Sequence, residues 1–279
     1  MNDFIISNLE KLKKNKIPNA EIDLRVLLNY SKYSKYSKNE IILSNFDINQ
    51  INIKLFNKIL NRRLSNEPIS KIINKKYFWK DDFYVNKFVL DPRPETEGIV
   101  EESLKLIKNK QSNFKILDVG TGSGAIAISL AREFVNADIL AIDISDKAIE
   151  VANKNINNKR LNNQIRLRKT SIDNINEKFD LIVSNPPYLT KKELQNISSD
   201  IRNYEPFLAL DGGEDGLNFY REFSSKISKL MNFKSFLILE IGEKQFSECK
   251  EIFSVSGLKF HKKSSDLQKK DRILVYSKL

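Results

Sequence analysis

Along the first 75 positions, apolar residues recur at spacings of three and four. Ile22, Val26, Leu27 and Tyr30 follow Pro18 in this way, and Ile48, Ile51, Leu55, Ile59 and Leu60 follow Asp47. Such spacing lays one apolar stripe along a helix. Asp47 is the expected N-cap, because its carboxylate can accept from the free N–H groups of a first turn. The Tyr-rich stretch from Tyr30 to Tyr36 reads as a helix end. A small helical bundle is therefore predicted for residues 1–75. The period then changes. Between Tyr77 and Leu90, the residues Phe78, Trp79, Phe83, Tyr84, Val85, Phe88 and Val89 flank the polar Lys80-Asp81-Asp82. That is a β-hairpin pattern, and residues 76–95 are predicted to form a hairpin linker between two domains.

From Thr96 onward helical and strand patterns alternate. Helices are predicted near 96–109, 124–134, 146–157, 216–230 and 245–253, and strands at 114–119, 137–142, 165–167, 179–184, 236–241, 258–261 and 273–276. This alternation argues for an α/β domain over residues 96–279, an open, Rossmann-like sheet with helices on both faces. Sheets of that kind bind ligands at the carboxyl ends of their strands.

Composition narrows the class without naming a chemistry. With 279 residues, 41% hydrophobic and 30% charged, the chain can bury a core and has the balance of a soluble globular protein. No apolar run approaches the roughly 18–20 residues of a membrane span. Asp3, Glu10 and several lysines interrupt the first 16 positions, so no signal peptide is expected. A lone cysteine, Cys249, and a lone histidine, His261, give neither a disulfide nor a zinc cluster. A cytoplasmic, metal-free protein is expected. The net charge of +11 suits an anionic partner. Lysine is spread along the whole chain, however, and the charges form no long block, so nucleic-acid contact is expected to be weak at most.

The run Asp118-Val119-Gly120-Thr121-Gly122-Ser123-Gly124 leaves a predicted strand and enters a predicted helix. Glycines there allow a tight turn and a close approach of backbone to ligand. With Ala125 the run also meets the loose Gly-x-Gly-x-x-Gly/Ala dinucleotide pattern. Asp143, 19 residues after Gly124, ends the next strand, where a carboxylate can accept from ribose hydroxyls. On these residues alone a nicotinamide dinucleotide stays open as the cofactor.

A second motif separates the possibilities. The strand Phe179–Ser184 runs into Asn185-Pro186-Pro187-Tyr188. Two consecutive prolines fix φ and remove N–H donors, so the loop is stiff and presents free carbonyls. The Asn185 side-chain oxygen and the Pro186 carbonyl can accept from an NH2 group, and Tyr188 can pack on its flat face. This tetrapeptide, downstream of a glycine loop, resembles the signature of amino-methyltransferases that act on exocyclic or amide nitrogens.

The resemblance extends over nearly the whole chain and is to the release-factor glutamine methyltransferases, the HemK/PrmC family. It is carried also by Phe78-Trp79, Asp91-Pro92-Arg93-Pro94-Glu95-Thr96-Glu97, Tyr204-Glu205-Pro206, Ala209-Leu210, Asp211-Gly212-Gly213-Glu214-Asp215-Gly216-Leu217, Glu240-Ile241-Gly242 and Asp271-Arg272. The related ribosomal-protein glutamine methyltransferases tend to have a Ser-Pro-containing variant where this chain has Arg93–Glu97, which favours the release-factor branch.

The resemblance implies a class I methyltransferase domain that uses S-adenosylmethionine and acts on a glutamine of the Gly-Gly-Gln type in release factors. It assigns Gly120, Thr121, Gly122, Ser123, Gly124 and Asp143 to the methyl donor, and Asn185, Pro186, Pro187 and Tyr188 to the glutamine side chain, with Asn185 close to both. Family members often have an acidic residue and an aromatic after the third strand. Here Ser171-Ile172 stand instead, and Ile172 is the expected apolar wall. The helical segment is expected to recognise the release factor, and the protein to act as a monomer. Three other readings remain: a ribosomal-protein glutamine methyltransferase, a nucleic-acid adenine or guanine amino-methyltransferase, and a non-catalytic binding module.

Overall fold

The computed structural model describes residues 3–36, 40, 41, 43 and 46–278. The chain divides into two compact units, Met1–Asn74 with Ser198–Tyr204, and Lys75–Ile197 with Glu205–Leu279.

The first unit is helical: α1 (Asp3–Lys14), α2 (Ala20–Tyr30), α3 (Ile53–Leu64) and α4 (Ile69–Ile73). Its core gathers Ile5, Leu12, Leu24, Leu27, Leu28, Phe56, Ile59 and Leu60. Two sequence expectations are corrected here. The helix after Asp47 does not run on continuously. Asp47 caps only a 3-10 turn, Ile48–Gln50, and Ile51 pairs with Lys32 in a bridge. The N-cap of α3 is Asn52, whose side chain accepts from the Leu55 N–H at 3.0 Å.

On α2 the face that turns inward is Ala20, Asp23, Leu24, Leu27 and Leu28, whereas Ile22 is 54% exposed and Tyr30 46%. Both stripes have helical spacing. The leucine-rich one buries more apolar surface, and its Asp23 is tolerated because Arg63 Nε meets its carboxylate at 2.7 Å. Residues 198–204, well inside the stretch read as α/β, also join this unit, and the Tyr204 hydroxyl donates to the Ser65 carbonyl at 3.3 Å.

The second unit opens with a hairpin, β1 (Lys76–Phe78) and β2 (Asp81–Phe83). It is shorter than the 77–90 span read from the sequence, and its turn is Trp79-Lys80, with Trp79 at φ +56°. Asp81 and Asp82 therefore lie on β2, not in the turn. Arg132 and Lys159 hold the Asp81 carboxylate at 3.3 and 3.0 Å, which accounts for a charged residue in that strand.

There follow α5 (Glu97–Leu106), β3 (Lys115–Val119), α6 (Ala125–Glu133), β4 (Asp138–Asp143), α7 (Asp146–Lys159), β5 (Ile165–Lys169), β6 (Phe179–Ser184) and α8 (Lys191–Asn196), then, after α9 (Ser199–Tyr204) of the first unit, α10 (Asn218–Ile227), β7 (Met231–Glu240), α11 (Phe246–Ser254), β8 (Lys259–Ser265) and β9 (Asp271–Lys278). The sheet order is β5-β4-β3-β6-β7-β9-β8. All pairs are parallel except β7 with β9 and β9 with β8.

Alternation along the strands divides two cores. Ile116, Ile139, Ala141, Leu181, Val183, Ile238, Ile273 and Val275 face α5, α6 and α7. Leu117, Leu140, Ile142, Ile182, Leu237, Leu239, Leu274 and Tyr276 face α10 and α11. Coverage of both faces is why the strands read as continuous apolar runs. Cys249 lies in the second core, where burial pushes its thiol up to about 12. An inert packing role follows.

Candidate active site

The carboxyl ends of the central parallel strands converge on one cavity of about 370 Å³. After β3 the chain turns through Gly120–Gly124, and Gly122 sits at φ +56°, a conformation that a side chain would strain. Its N–H donates to Asp143 Oδ2 at 2.9 Å, while Ser145 N–H donates to Oδ1 at 2.9 Å. Asp143 thus ties the glycine loop to the end of β4. Burial raises its pKa above the ordinary value, opposed by these backbone donors. Each oxygen keeps a further lone pair, so the carboxylate can still accept from a ligand.

Asn155 on α7 braces the same loop from behind. Its amide donates to the Ser123 carbonyl at 2.8 Å and to the Tyr84 carbonyl at 2.9 Å, and its oxygen accepts from the Tyr84 N–H at 2.7 Å. Asp118, buried beneath the loop, accepts from the Thr121 hydroxyl at 2.7 Å. Burial pushes its carboxyl up to about 7.

The tetrapeptide leaves β6 beside this loop. Ser184 Oγ donates to the Val119 carbonyl at 2.8 Å and pins the ends of β6 and β3 together. Beyond it, Asn185 Nδ2 donates to Thr96 Oγ1 at 2.9 Å, and Thr96 Oγ1 in turn donates to Glu240 Oε2 at 2.6 Å. Glu240 is pushed up to about 7 by burial, against the pull of the Thr96 hydroxyl and the Arg272 charge. Tyr188 leads away from the cavity. Its hydroxyl is 3.5 Å from Glu240 Oε1, its ring packs on the α10–α11 core, and burial raises its pKa. Gln245 Nε2 holds the Tyr188 carbonyl at 3.0 Å.

Of the residues singled out from the sequence, Gly120, Thr121, Gly122, Ser123, Asp143, Ile172, Asn185, Pro186 and Pro187 line the cavity together. Gly124 and Tyr188 do not. Gly124 is the N-cap of α6, and Tyr188 closes the buried side of the loop. Sequence reasoning missed Thr96 and the segment Phe88–Pro92, which line the cavity from before α5, and Phe219, Glu222 and Phe223 of α10 opposite. Both the Thr96 and the Glu240 stretches carry the family resemblance, but nothing local in the sequence indicates that they meet.

Among the described residues no group of three His, Cys, Asp or Glu side chains is placed to hold a metal, and no helix is long and apolar enough to cross a membrane.

A seven-stranded sheet of this order, with its antiparallel strand β9 inserted between β7 and β8, a glycine loop after β3 and a carboxylate ending β4, defines the class I S-adenosylmethionine-dependent methyltransferases. The Methyltransferase small domain family matches residues 102–208. The catalytic domain of hMettl16, solved in complex with MAT2A 3'UTR hairpin 6, shares the fold with a TM-score of 0.54, at 18% identity over 68% of this chain and 73% of that one. The release factor glutamine methyltransferase of Caulobacter vibrioides is 36% identical over 271 residues, covering 95% of this chain and 92% of that protein. The bifunctional methyltransferase of Rickettsia felis is 35% identical over 298 residues, but the chain spans only 56% of its length. The chain belongs to the release factor glutamine methyltransferase family.

Proposed function

We propose that this protein methylates the side-chain amide nitrogen of a glutamine in a peptide chain release factor, with S-adenosylmethionine as methyl donor. The observation that carries the reading is the shared cavity: Asn185 and Pro186 line the same space as Gly120–Ser123 and Asp143. Acceptors for an NH2 group and a loop suited to a nucleoside therefore face one another. Kinship with release factor glutamine methyltransferases selects the glutamine.

The residues present suit the donor. Asp143 retains lone pairs for ribose hydroxyls, the backbone around Gly122 is open to close approach, and Ile144 and Ile172 offer apolar walls for a flat ring. S-Adenosylmethionine, when bound, supplies a methyl group on a cationic sulfur. What the chain itself contributes is orientation. Asn185 Oδ1 and the Pro186 carbonyl accept the two N–H bonds of the glutamine amide and fix its plane. The lone pair of an amide nitrogen is delocalised, so it is a weak nucleophile. Fixed acceptors in a partly closed cavity favour density on nitrogen and hold it in line, the kind of preorganisation that supplies much of enzymatic rate enhancement. The nitrogen–carbon bond would form as the methyl carbon–sulfur bond breaks, the cationic sulfur leaving as a neutral thioether, and the nitrogen would give one of its two protons to water.

The helical segment, residues 1–75, supplies binding energy for the protein substrate.

Transfer of labelled methyl from S-adenosylmethionine to purified release factor, ribosomal protein, RNA and DNA tests the reading. Label is expected on the release-factor glutamine. Label confined to RNA or DNA overturns the proposal, and label confined to ribosomal protein overturns the substrate while keeping the chemistry.

A further inference from the structure

We propose that Thr96 and Glu240 are positioning residues whose hydrogen-bond relay fixes which end of the Asn185 amide faces the reacting nitrogen. The inference rests on the reading of Asn185 as the acceptor for the substrate NH2.

An asparagine side chain is nearly symmetric in shape, and a half-turn exchanges its oxygen for its NH2 group. Only the oxygen can accept from a glutamine amide, so the wrong half-turn presents two donors to two donors. Something must break the symmetry. Among the side-chain hydrogen bonds in the structure, the partner of the Asn185 amide is Thr96 Oγ1, at 2.9 Å.

A threonine hydroxyl has one hydrogen, and an ionised carboxylate, which can only accept, decides where it points. That carboxylate belongs to Glu240, 1% exposed at the end of β7, with Oε2 at 2.6 Å. With its hydrogen committed to Glu240, Thr96 has only lone pairs left for Asn185, and it selects the Nδ2 end. Asn185 Oδ1 is thereby turned from Thr96 toward the cavity that Asn185 lines.

Sheet geometry places the parts. Ser184 and Leu239 are partners in the β6–β7 register, so the residues just beyond them, Asn185 and Glu240, end adjacent strands. Val183 and Ile238 face α5, and two positions further on Asn185 and Glu240 do the same. Thr96, buried at the start of α5, reaches both. Glu240 is further fixed by Tyr220, whose hydroxyl donates to its backbone carbonyl at 2.9 Å. A glutamate in so enclosed a place is costly for the fold, and the relay gives it a task.

The test compares Thr96→Val, Thr96→Ser and Glu240→Gln with wild type and Asn185→Ala, measuring kcat and KM on purified release factor, S-adenosylmethionine binding by calorimetry, and thermal unfolding. Thr96→Val keeps the shape and removes the hydroxyl, so kcat should fall roughly 10- to 100-fold, with KM and donor affinity within about threefold of wild type. Thr96→Ser restores the hydroxyl and should bring kcat back to within about threefold. Glu240→Gln can accept from Thr96 or donate to it, so Asn185 divides between two orientations and kcat should fall by roughly 2- to 10-fold.

A folded Thr96→Val enzyme with wild-type kcat, alongside an inactive Asn185→Ala, overturns the relay and leaves the site assignment standing. An active Asn185→Ala overturns the assignment beneath it. If Thr96→Val does not fold, Glu240→Gln decides: unchanged kcat there overturns the proposal.

Discussion

The backbone N–H of Gly122 donates to Oδ2 of Asp143 across 2.9 Å, so the residue proposed to meet the ribose also sets the shape of the glycine loop. Asp143→Ala removes both functions. Hydrogen bonds to a charged group are worth about 1.5–3 kcal/mol, and the dissociation constant for S-adenosylmethionine should rise by roughly tenfold or more. Asp143→Asn keeps an acceptor for Gly122 and should lose less. Calorimetry on both variants distinguishes loop support from ribose contact, and equal affinities for Asp143→Ala and wild type would place the ribose elsewhere.

Gly216 gives a second prediction. It stands at φ +78°, and a Cβ there would lie 2.4 Å from the Tyr188 carbonyl oxygen and 2.6 Å from Gln245 Nε2. That is the point at which Gln245 holds the tetrapeptide, donating to Tyr188 O at 3.0 Å and to Gly216 O at 3.1 Å. Gly216→Ala must push the loop and also adopt a left-handed conformation costing about 1–2 kcal/mol. Thermal unfolding should move down by several degrees and kcat should fall, with donor affinity much less affected because the glycine loop lies on other strands. Unaltered kcat would mean that the loop tolerates displacement.

How far the sequence disclosed the site depends on how local each feature is. The glycine loop and Asn185–Tyr188 are short motifs at strand ends, and their chemistry is written in consecutive residues. Central strands were legible for the same reason, since burial on both faces leaves unbroken apolar runs. Thr96 and Asn185 lie 89 positions apart, and their meeting follows from sheet order, which periodicity does not contain. Asn155 supporting Ser123 is hidden in the same way. On α2 two stripes of equal spacing competed, and only packing against Phe56 and Ile59 in the common core decided between them. Turn chemistry misled at the hairpin: Trp79 takes the left-handed position that a polar residue usually occupies, while Asp81 is drawn into a strand by two cations.

Glu240 and Asp118 make stability depend on pH. Burial raises both carboxyls to about 7 in the folded protein, well above their usual range near 4. Glu240 faces Thr96 and Glu95 from the α5 side, Tyr188 from the β6 loop and Arg272 from β9. Arg272 lowers its pKa and Glu95 raises it, and burial outweighs both. A raised acid binds its proton more tightly when folded, so its contribution is fully present below the unfolded pKa and is lost as pH rises through the folded one. Unfolding free energy should therefore decline between about pH 4.5 and 7, on the order of 3 kcal/mol from Glu240 alone. Glu240→Gln, which has no proton to lose, should flatten that part of the slope. Denaturant titrations of both proteins at pH 5 and pH 8 measure it, and parallel slopes would show that Glu240 does not titrate in this window.

The last prediction concerns the helical unit and its buried ion pair. Arg63 Nε lies 2.7 Å from Asp23 Oδ2, joining α3 to α2, and both residues are 9% exposed. Removing one partner of such a pair leaves a buried charge unmatched, at about 3–5 kcal/mol, while replacing both with apolar residues of similar volume is often neutral. A unit built on one modest core has little stability to spare. Asp23→Ala should therefore loosen the helical unit, and the double substitution Asp23→Leu with Arg63→Met should restore it. If that unit supplies binding energy for the protein substrate, kcat/KM for intact release factor must fall in Asp23→Ala and recover in the double variant. Affinity for S-adenosylmethionine should stay constant throughout, since every residue of its cavity belongs to the other unit. Proteolysis of residues 1–74 monitors the loosening independently of activity. Should those residues become protease-sensitive while kcat/KM for the release factor stays at the wild-type value, the helical unit has no part in recognition.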